Sequence, residues 1–351
     1  MATGFNYLPQ SFGGAEVSTD NLCQTIAKAG HSCAVVCALA PTGDSLYFAN
    51  RFKSKLFRDY APSDHSVGYP VFRGWQTSVA LADVLRKFKP DVTVIQSGET
   101  ARLVNESLSL GSPTVVYLRD VEFDNHGGEY KAHPALRAVA NSNFTANAFT
   151  SRFGIEAEVL PPSLDRSRYY VPPIKRQPKY VLFVNPHPSK GLKTAVALAR
   201  SNPDIPFLFL KSWRLDRQHE SLLANEIRGL ENVEVREPVD DMRSIYAETR
   251  LVLVPSVWGE AWCRVVSEAQ VNGIPAIASM IGGLPESVGE GGLLLEDVND
   301  LNAWSMALRK LWLNPEDLHA LSVSAEKLAH REILHPMYTA RELLRICSEL
   351  L

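Results

Sequence analysis

The chain has 351 residues, 45% of them apolar and 21% charged, and carries a net charge of −3. That length accommodates two domains of ordinary size, and that composition is typical of a globular protein. The near-neutral balance excludes a general attraction to nucleic acid, and no apolar run approaches the roughly eighteen residues of a membrane span.

Five cysteines (Cys23, Cys33, Cys37, Cys263 and Cys347) are scattered, without Cys-x-x-Cys or metal-ligand spacing. They read as reduced thiols. With no signal-peptide pattern at its start, the protein is expected in the cytoplasm. The nine histidines are dispersed and give no metal-ligand cluster.

The opening stretch, Met1-Ala2-Thr3-Gly4-Phe5, leads almost at once into a loop ending in Gly13-Gly14. A doubly wound domain normally opens with a strand of about five residues. Here the first strand is expected to be short or missing. A helix over 15–29 follows, with Val17, Leu22, Ile26 and Ala27 at apolar spacing, and Gly30 ends it. A buried strand is expected over 32–38. Gly13 and Gly14, at the helix start, either form a plain turn or leave backbone open to a phosphate or acceptor.

Residues 47–60 mix Arg51, Lys53, Lys55 and Arg58 with Phe48, Phe52, Phe57, Tyr47 and Tyr60. Such a segment either lies on an anionic membrane surface at the inner face or is packed by its aromatics; the second is the plainer reading. A helix over 77–88, a strand over 92–96, a helix over 99–110 and a strand over 114–118 come next. Arg119-Asp120-Val121-Glu122-Phe123 then stands just past a strand's carboxyl end, where parallel sheets bind ligands. Arg119 would hold a phosphate or carboxylate, or pair with Asp120 or Glu122. A short strand over 138–141, a helix started by Ser142 and closed by Gly154, and a proline-rich linker over 170–178 complete the first half.

The second half opens with a strand over 180–184 and the loop Asn185-Pro186-His187-Pro188-Ser189-Lys190-Gly191. Lysine then glycine at a helix start suits phosphate. Strands are expected over 207–210 and 233–236, and a helix over 240–248. The stretch 251–283 is a strand, a loop, a helix over 262–271 and a second strand. Glu260 sits in that loop and Glu268 on that helix. Carboxylates accept sugar hydroxyls, while Ser256, Gly259, Ala261 and Ser267 leave the helix start open. A group that is part phosphate and part polyol would fit. A strand over 292–295 and helices over 301–313, 318–330 and from Pro336 onward end the chain.

Pro255-Ser256, Glu260-x7-Glu268-Ala269, Gly273-Ile274-Pro275 and Gly282-Gly283-Leu284-Pro285-Glu286, in that order, resemble the donor-binding half of the family 4 retaining glycosyltransferases. The resemblance implies the α/β GT-B fold: two Rossmann-like domains facing across a cleft. Residues 1–170 would hold the acceptor and 171–332 the nucleotide sugar, with 333–351 a helix crossing back to the first domain. It assigns Glu268 to the ribose hydroxyls and Glu260 to the transferred sugar. Gly13, Gly14, Ala261, Trp262, Cys263 and Arg264 join the donor site.

The resemblance also places Lys190 on the diphosphate beside an arginine that this loop lacks, so Arg264, or else Lys211, is expected to substitute. Arg119 occupies a slot that is often histidine. Catalysis would rest on Glu260, Lys190, Arg264 and Arg119. The implied activity is hexosyl transfer with retention, without cofactor or metal. The sugar would pass to a glycan, lipid-linked or small-molecule acceptor. The alternative is a degenerate homologue that binds a nucleotide sugar or a protein partner without catalysis.

Overall fold

A computed structural model describes residues 1–57, 59–212 and 215–351 of the protein. The chain divides into two units, residues 1–163 with 336–351, and residues 164–335. The divisions expected at 170/171 and 332/333 thus fall a few residues away. Hydrogen bonds explain the earlier switch: Leu164 N–H donates to Leu334 O, and Asn272 bonds both Tyr169 O and Val171 N–H. Residues 164–171 are thereby tied into the second unit.

The first unit is built on strands β1 (Ala2–Asn6), β2 (Val35–Ala38), β3 (Ser63–Asp64), β4 (Val71–Gly74), β5 (Thr93–Ile95), β6 (Thr114–Leu118), β7 (Leu136–Ala140) and β8 (Ala157–Val159). They form one sheet in the order β3-β4-β2-β1-β5-β6-β7-β8, parallel except for the β3–β4 pair. The strand thought short or missing is present, five residues long, between β2 and β5. Its small residues hid it. Gly4 lies so close to Gly98 that a Cβ on Gly98 would meet Gly4 Cα at 2.7 Å.

β5, β6 and β7 are nearly continuous apolar runs because both faces of the sheet are covered. The terminal helix, Pro336–Ser348, belongs to this unit, and its Ala340, Leu343 and Ile346 share a core with Leu22 and Ile26 of helix Gly14–Lys28.

The second unit contains β9 (Tyr180–Val184), β10 (Phe207–Leu210), β11 (Val233–Arg236), β12 (Thr249–Val254), β13 (Ala276–Ser279) and β14 (Gly292–Leu295). Their order, β11-β10-β9-β12-β13-β14, is parallel throughout. Successive side chains alternate between faces, so Leu182 enters one core while Val181 and Phe183 enter the other. The loops that leave β9 and β12 therefore emerge side by side from the centre of the sheet.

Candidate active site

Beyond β9 the chain reverses sharply. Asn185 has φ 60°, and its Oδ1 accepts from Ser212 N–H at 2.9 Å and Ser212 Oγ at 2.6 Å. His187 caps a single 3₁₀ turn, Pro188–Lys190, and Gly191, at φ 84°, starts helix Leu192–Ser201. A Cβ on Gly191 would lie 1.8 Å from Pro255 O, so backbone approaches backbone there as only glycine permits. Val257 N–H donates to Ser189 O at 3.1 Å. The two loops are clamped together, and Lys190 is aimed across the junction.

Lys190 Nζ lies 2.6 Å from Glu260 Oε1, and Ser256 Oγ donates to the same oxygen at 2.8 Å. The ammonium also sits 4.5 Å from the centre of the Trp258 ring. Glu260 is held from behind. Gly283 N–H donates to Glu260 O at 2.6 Å, and Gly282, at φ 63°, packs so that a Cβ would meet Glu260 O at 2.5 Å. The Gly-Gly pair is thus a seat for the Glu260 backbone. A cavity of about 50 Å³, lined in part by Asn185, Lys190, Ser256, Glu260 and Cys263, opens at this point.

Glu268 forms a second cluster. The helix carrying it, Arg264–Gln270, starts two residues later than expected and is seven residues long. Arg264 pairs with Glu268 Oε1 at 3.2 Å and donates to Tyr169 OH at 3.1 Å. Tyr246 OH donates to Glu268 Oε2 at 2.9 Å. Burial, with the Glu268 charge beside it, pushes the Tyr246 phenol well above its ordinary range, so it serves as a donor.

Arg264, expected on a diphosphate, is instead engaged with Glu268. Lys211, the other expected substitute, is held by Glu220 at 2.9 Å and Glu237 at 2.7 Å. Ala261, Trp262 and Cys263 are buried. Trp262 Nε1 donates to Ser267 Oγ at 3.1 Å, and its ring is part of the core. Burial pushes the Cys263 thiol up to about 12, which leaves it unreactive.

Gly13, Gly14 and Arg119 belong to the first unit. Gly13 is the extended N-cap of helix Gly14–Lys28. Glu16, in the first turn, folds back so that a Cβ on Gly13 would meet its carboxylate at 2.4 Å. Burial raises the Glu16 carboxyl above its usual range, while its own backbone N–H and the charge of Arg119 lower it. Arg119 Nε donates to Gln96 Oε1 at 2.8 Å, Nη1 donates to Asn141 Oδ1 at 3.1 Å, and the guanidinium lies 3.6 Å from the Tyr117 ring centre. Asp120, considered as its ion-pair partner, lies 2.8 Å from His126 Nε2.

Sequence reasoning missed Trp258, Tyr169 and Tyr246. Tyr169 ends a 3₁₀ turn and Tyr246 lies on helix Arg243–Glu248, both distant in sequence, with no spacing signal to announce them.

A family model described as "Glycosyl transferases group 1" matches residues 183–314, and one described as "Glycosyltransferase Family 4" matches residues 12–168. A D-inositol 3-phosphate glycosyltransferase of Paenarthrobacter aurescens is 26% identical over 202 residues, 51% of this chain and 49% of that protein. An exopolysaccharide phosphotransferase of Streptomyces coelicolor is 35% identical over 135 residues, 35% of this chain and 14% of that one. The matches to these curated relatives therefore span half or less of their length. The solved structure of Anabaena HepE in complex with UDP-glucose superposes with a TM-score of 0.75 at 18% identity, covering 99% of each chain. With both halves matched by these models and the fold shared from end to end, the chain belongs to the family 4 glycosyltransferases and has the GT-B fold.

Proposed function

We propose that the protein is a retaining glycosyltransferase that moves a hexose from a nucleotide-diphosphate sugar to a hydroxyl group, without a metal. The observation that carries this reading is the Lys190–Glu260 pair, a cation and a carboxylate 2.6 Å apart past the carboxyl ends of β9 and β12. Glu268 accepts the ribose hydroxyls, with lone pairs left after Tyr246 and Arg264 are served. Glu260 accepts a hydroxyl of the sugar. Lys190 meets the diphosphate.

The bond from the anomeric carbon to the phosphate oxygen breaks, and the electron pair leaves with the nucleoside diphosphate. The acceptor oxygen then bonds to that carbon on the face the diphosphate leaves. The acceptor's proton passes to the departing phosphate oxygen. Charge on that oxygen grows as the bond breaks, so Lys190 stabilises the transition state more than the ground state. The UDP-glucose bound by HepE supports a nucleotide-sugar donor.

A transfer assay with UDP-, GDP-, ADP- and dTDP-sugars tests this reading: radiolabelled sugar reaches an acceptor with wild type and not with Lys190→Ala. If no donor is turned over but one binds, the alternative of a non-catalytic binding module holds. The engagement of Arg264 and Lys211 by carboxylates favours that alternative.

The reading extends to the first unit, for which an anionic lipid surface is the proposed contact. Helix Ser45–Phe57 carries Phe48, Phe52 and Leu56 on one stripe, each more than half exposed. Arg51 and Lys55 flank the stripe, and no acidic residue lies on the helix. Trp75, also more than half exposed, joins this surface through Tyr47. Of the stretch first singled out, Arg58 lies outside the described residues. Apolar side chains ringed by cations suit the headgroup boundary of an anionic bilayer. An acceptor on a lipid carrier would then be presented at that surface.

A further inference from the structure

The loop carrying Lys190 contains no arginine, and the cations expected to replace it are engaged elsewhere. A different pair of ionisable groups lies beside this loop. The rings of His187 and His219 meet at a tilt of 43° with centroids 4.4 Å apart. His187 belongs to the turn that positions Lys190, and His219 to the first turn of helix Arg217–Glu226. Both are partly exposed.

Their hydrogen bonds define their tautomers. His187 Nδ1 accepts from Ser189 N–H at 3.3 Å and lies 2.8 Å from Ser189 Oγ, so its proton sits on Nε2. His219 Nδ1 lies 2.8 Å from Asp216 Oδ1, which also accepts His219 N–H at 2.8 Å. A carboxylate cannot donate, so Nδ1 carries the proton and Nε2 is the nitrogen with the lone pair. A proton added at His219 Nε2 makes an imidazolium backed by Asp216. One added at His187 Nδ1 would oppose the Ser189 N–H.

We propose that His219, backed by Asp216, takes up a proton as the nucleotide sugar binds and supplies the second positive charge to its diphosphate, while neutral His187 donates Nε2–H to the same group. The proposal rests on the donor-site reading of the Lys190 loop. Among the described residues, the charged groups bearing on the pair are Asp216 on the helix, Lys190 on the loop, and each imidazole on the other. Burial, His219 and Lys190 lower the His187 pKa, with Asp216 acting against them, which favours neutral His187; the carboxylate of Asp216 on Nδ1 is what fits His219 to hold the added proton.

The binding-linked proton is measurable. Calorimetric titration with UDP-glucose, GDP-mannose and ADP-glucose, whose phosphates stay fully ionised across the range, is run from pH 5.5 to 8 in buffers of different ionisation enthalpy. For the donor that binds, the wild type takes up close to one proton, and its dissociation constant rises by up to about tenfold per pH unit within the window. His219→Gln takes up none and binds at every pH as weakly as the wild type does at pH 8. Asp216→Asn, which keeps the helix cap, moves the pH dependence to lower pH. His187→Asn weakens binding roughly two- to tenfold at all pH values.

If His219→Gln keeps the wild-type slope, or the wild type takes up no proton, the histidine proposal is overturned. Lys190→Ala separates the two levels. If it weakens donor binding or sugar transfer while His219→Gln changes nothing, the donor site stands and the histidine role falls. If Lys190→Ala both binds and transfers as the wild type does, or no donor binds the wild type, both fall.

Discussion

Arg264 and Glu268 form an ion pair across one helical turn, with 3.2 Å between them and side chains only 12% and 10% exposed. Tyr169 and Tyr246 complete the cluster. Arg264 therefore acts by fixing the Glu268 carboxylate. Removing one partner of a buried pair leaves the other charged and unpaired, which costs about 3–5 kcal/mol. Arg264→Ala is expected to lower stability in urea by an amount of that order and to weaken nucleotide affinity with it. The double variant Arg264→Met with Glu268→Gln should recover part of the stability while nucleotide affinity stays low. A turnover defect with unchanged stability and unchanged UDP affinity would return Arg264 to the diphosphate.

Much of the frame is written in local pattern. Runs such as Thr114–Leu118, Tyr180–Val184 and Phe207–Leu210 are strands at the expected residues because both faces of each are buried. Ser142 and Gly154 bound helix Asn143–Phe153 as a cap and a left-handed stop. Some elements left little trace. β1 carries a glycine, Gly4, where its backbone lies against Gly98, and β4 went unannounced. Helix Arg217–Glu226 buries only Leu223, too little for an apolar period.

For the candidate site, the ordered motifs around Glu260 and Glu268, and the lysine–glycine pair at a helix start, were what singled out Glu260, Glu268 and Lys190 as candidates. They could not say which cation faces which carboxylate. Tyr246 and Tyr169 meet the Arg264–Glu268 pair from 22 and 95 residues away, and the pairing of Lys211 with Glu237 depends on two adjacent strands aligning their ends.

Lys190→Ala should lower kcat by about a hundredfold or more while raising KM modestly, because leaving-group charge is greatest in the transition state. Glu260→Gln keeps an acceptor for the sugar hydroxyl but loses the charge that orients Lys190. It is expected to reduce turnover and leave the affinity for free UDP within about twofold. Steady-state transfer rates and UDP titrations of both variants check this. An equal loss of UDP affinity in the two would remove the division of labour between sugar and phosphate.

The glycine seat under Glu260 makes a separate prediction. Gly282→Ala forces a side chain into the left-handed region at φ 63°, at about 1–2 kcal/mol, and sets a methyl 2.5 Å from Glu260 O. The backbone must shift, and Glu260 moves with it. Gly30→Ala, also left-handed at φ 94° but with nothing within 4 Å, carries the conformational cost alone. Gly282→Ala should therefore lose more stability in urea than Gly30→Ala and lose turnover as well, whereas Gly30→Ala keeps turnover. Equal losses of stability, with turnover retained in both, would show that the contact with Glu260 carries no consequence.

The exposed stripe on helix Ser45–Phe57 yields the last prediction. Phe48, Phe52 and Leu56 are one helical turn apart and face solvent, so replacing them costs little core packing. Phe48→Ser with Phe52→Ser should leave thermal stability within about 2–4 °C of the wild type, the shift that about 1 kcal/mol produces in a chain of 150–250 residues or more. Burying such rings at a bilayer boundary is worth about 1.5–3 kcal/mol each, and each basic residue near an anionic surface adds about 1 kcal/mol. The double variant should bind vesicles of mixed zwitterionic and anionic lipid at least tenfold more weakly than the wild type. Arg51→Glu with Lys55→Glu should abolish the preference for anionic over purely zwitterionic vesicles, and raised salt should weaken wild-type binding in the same direction. Cosedimentation measures all of these. Equal pelleting of the wild type and both double variants, or none with anionic vesicles, would mean that this face does not meet a membrane.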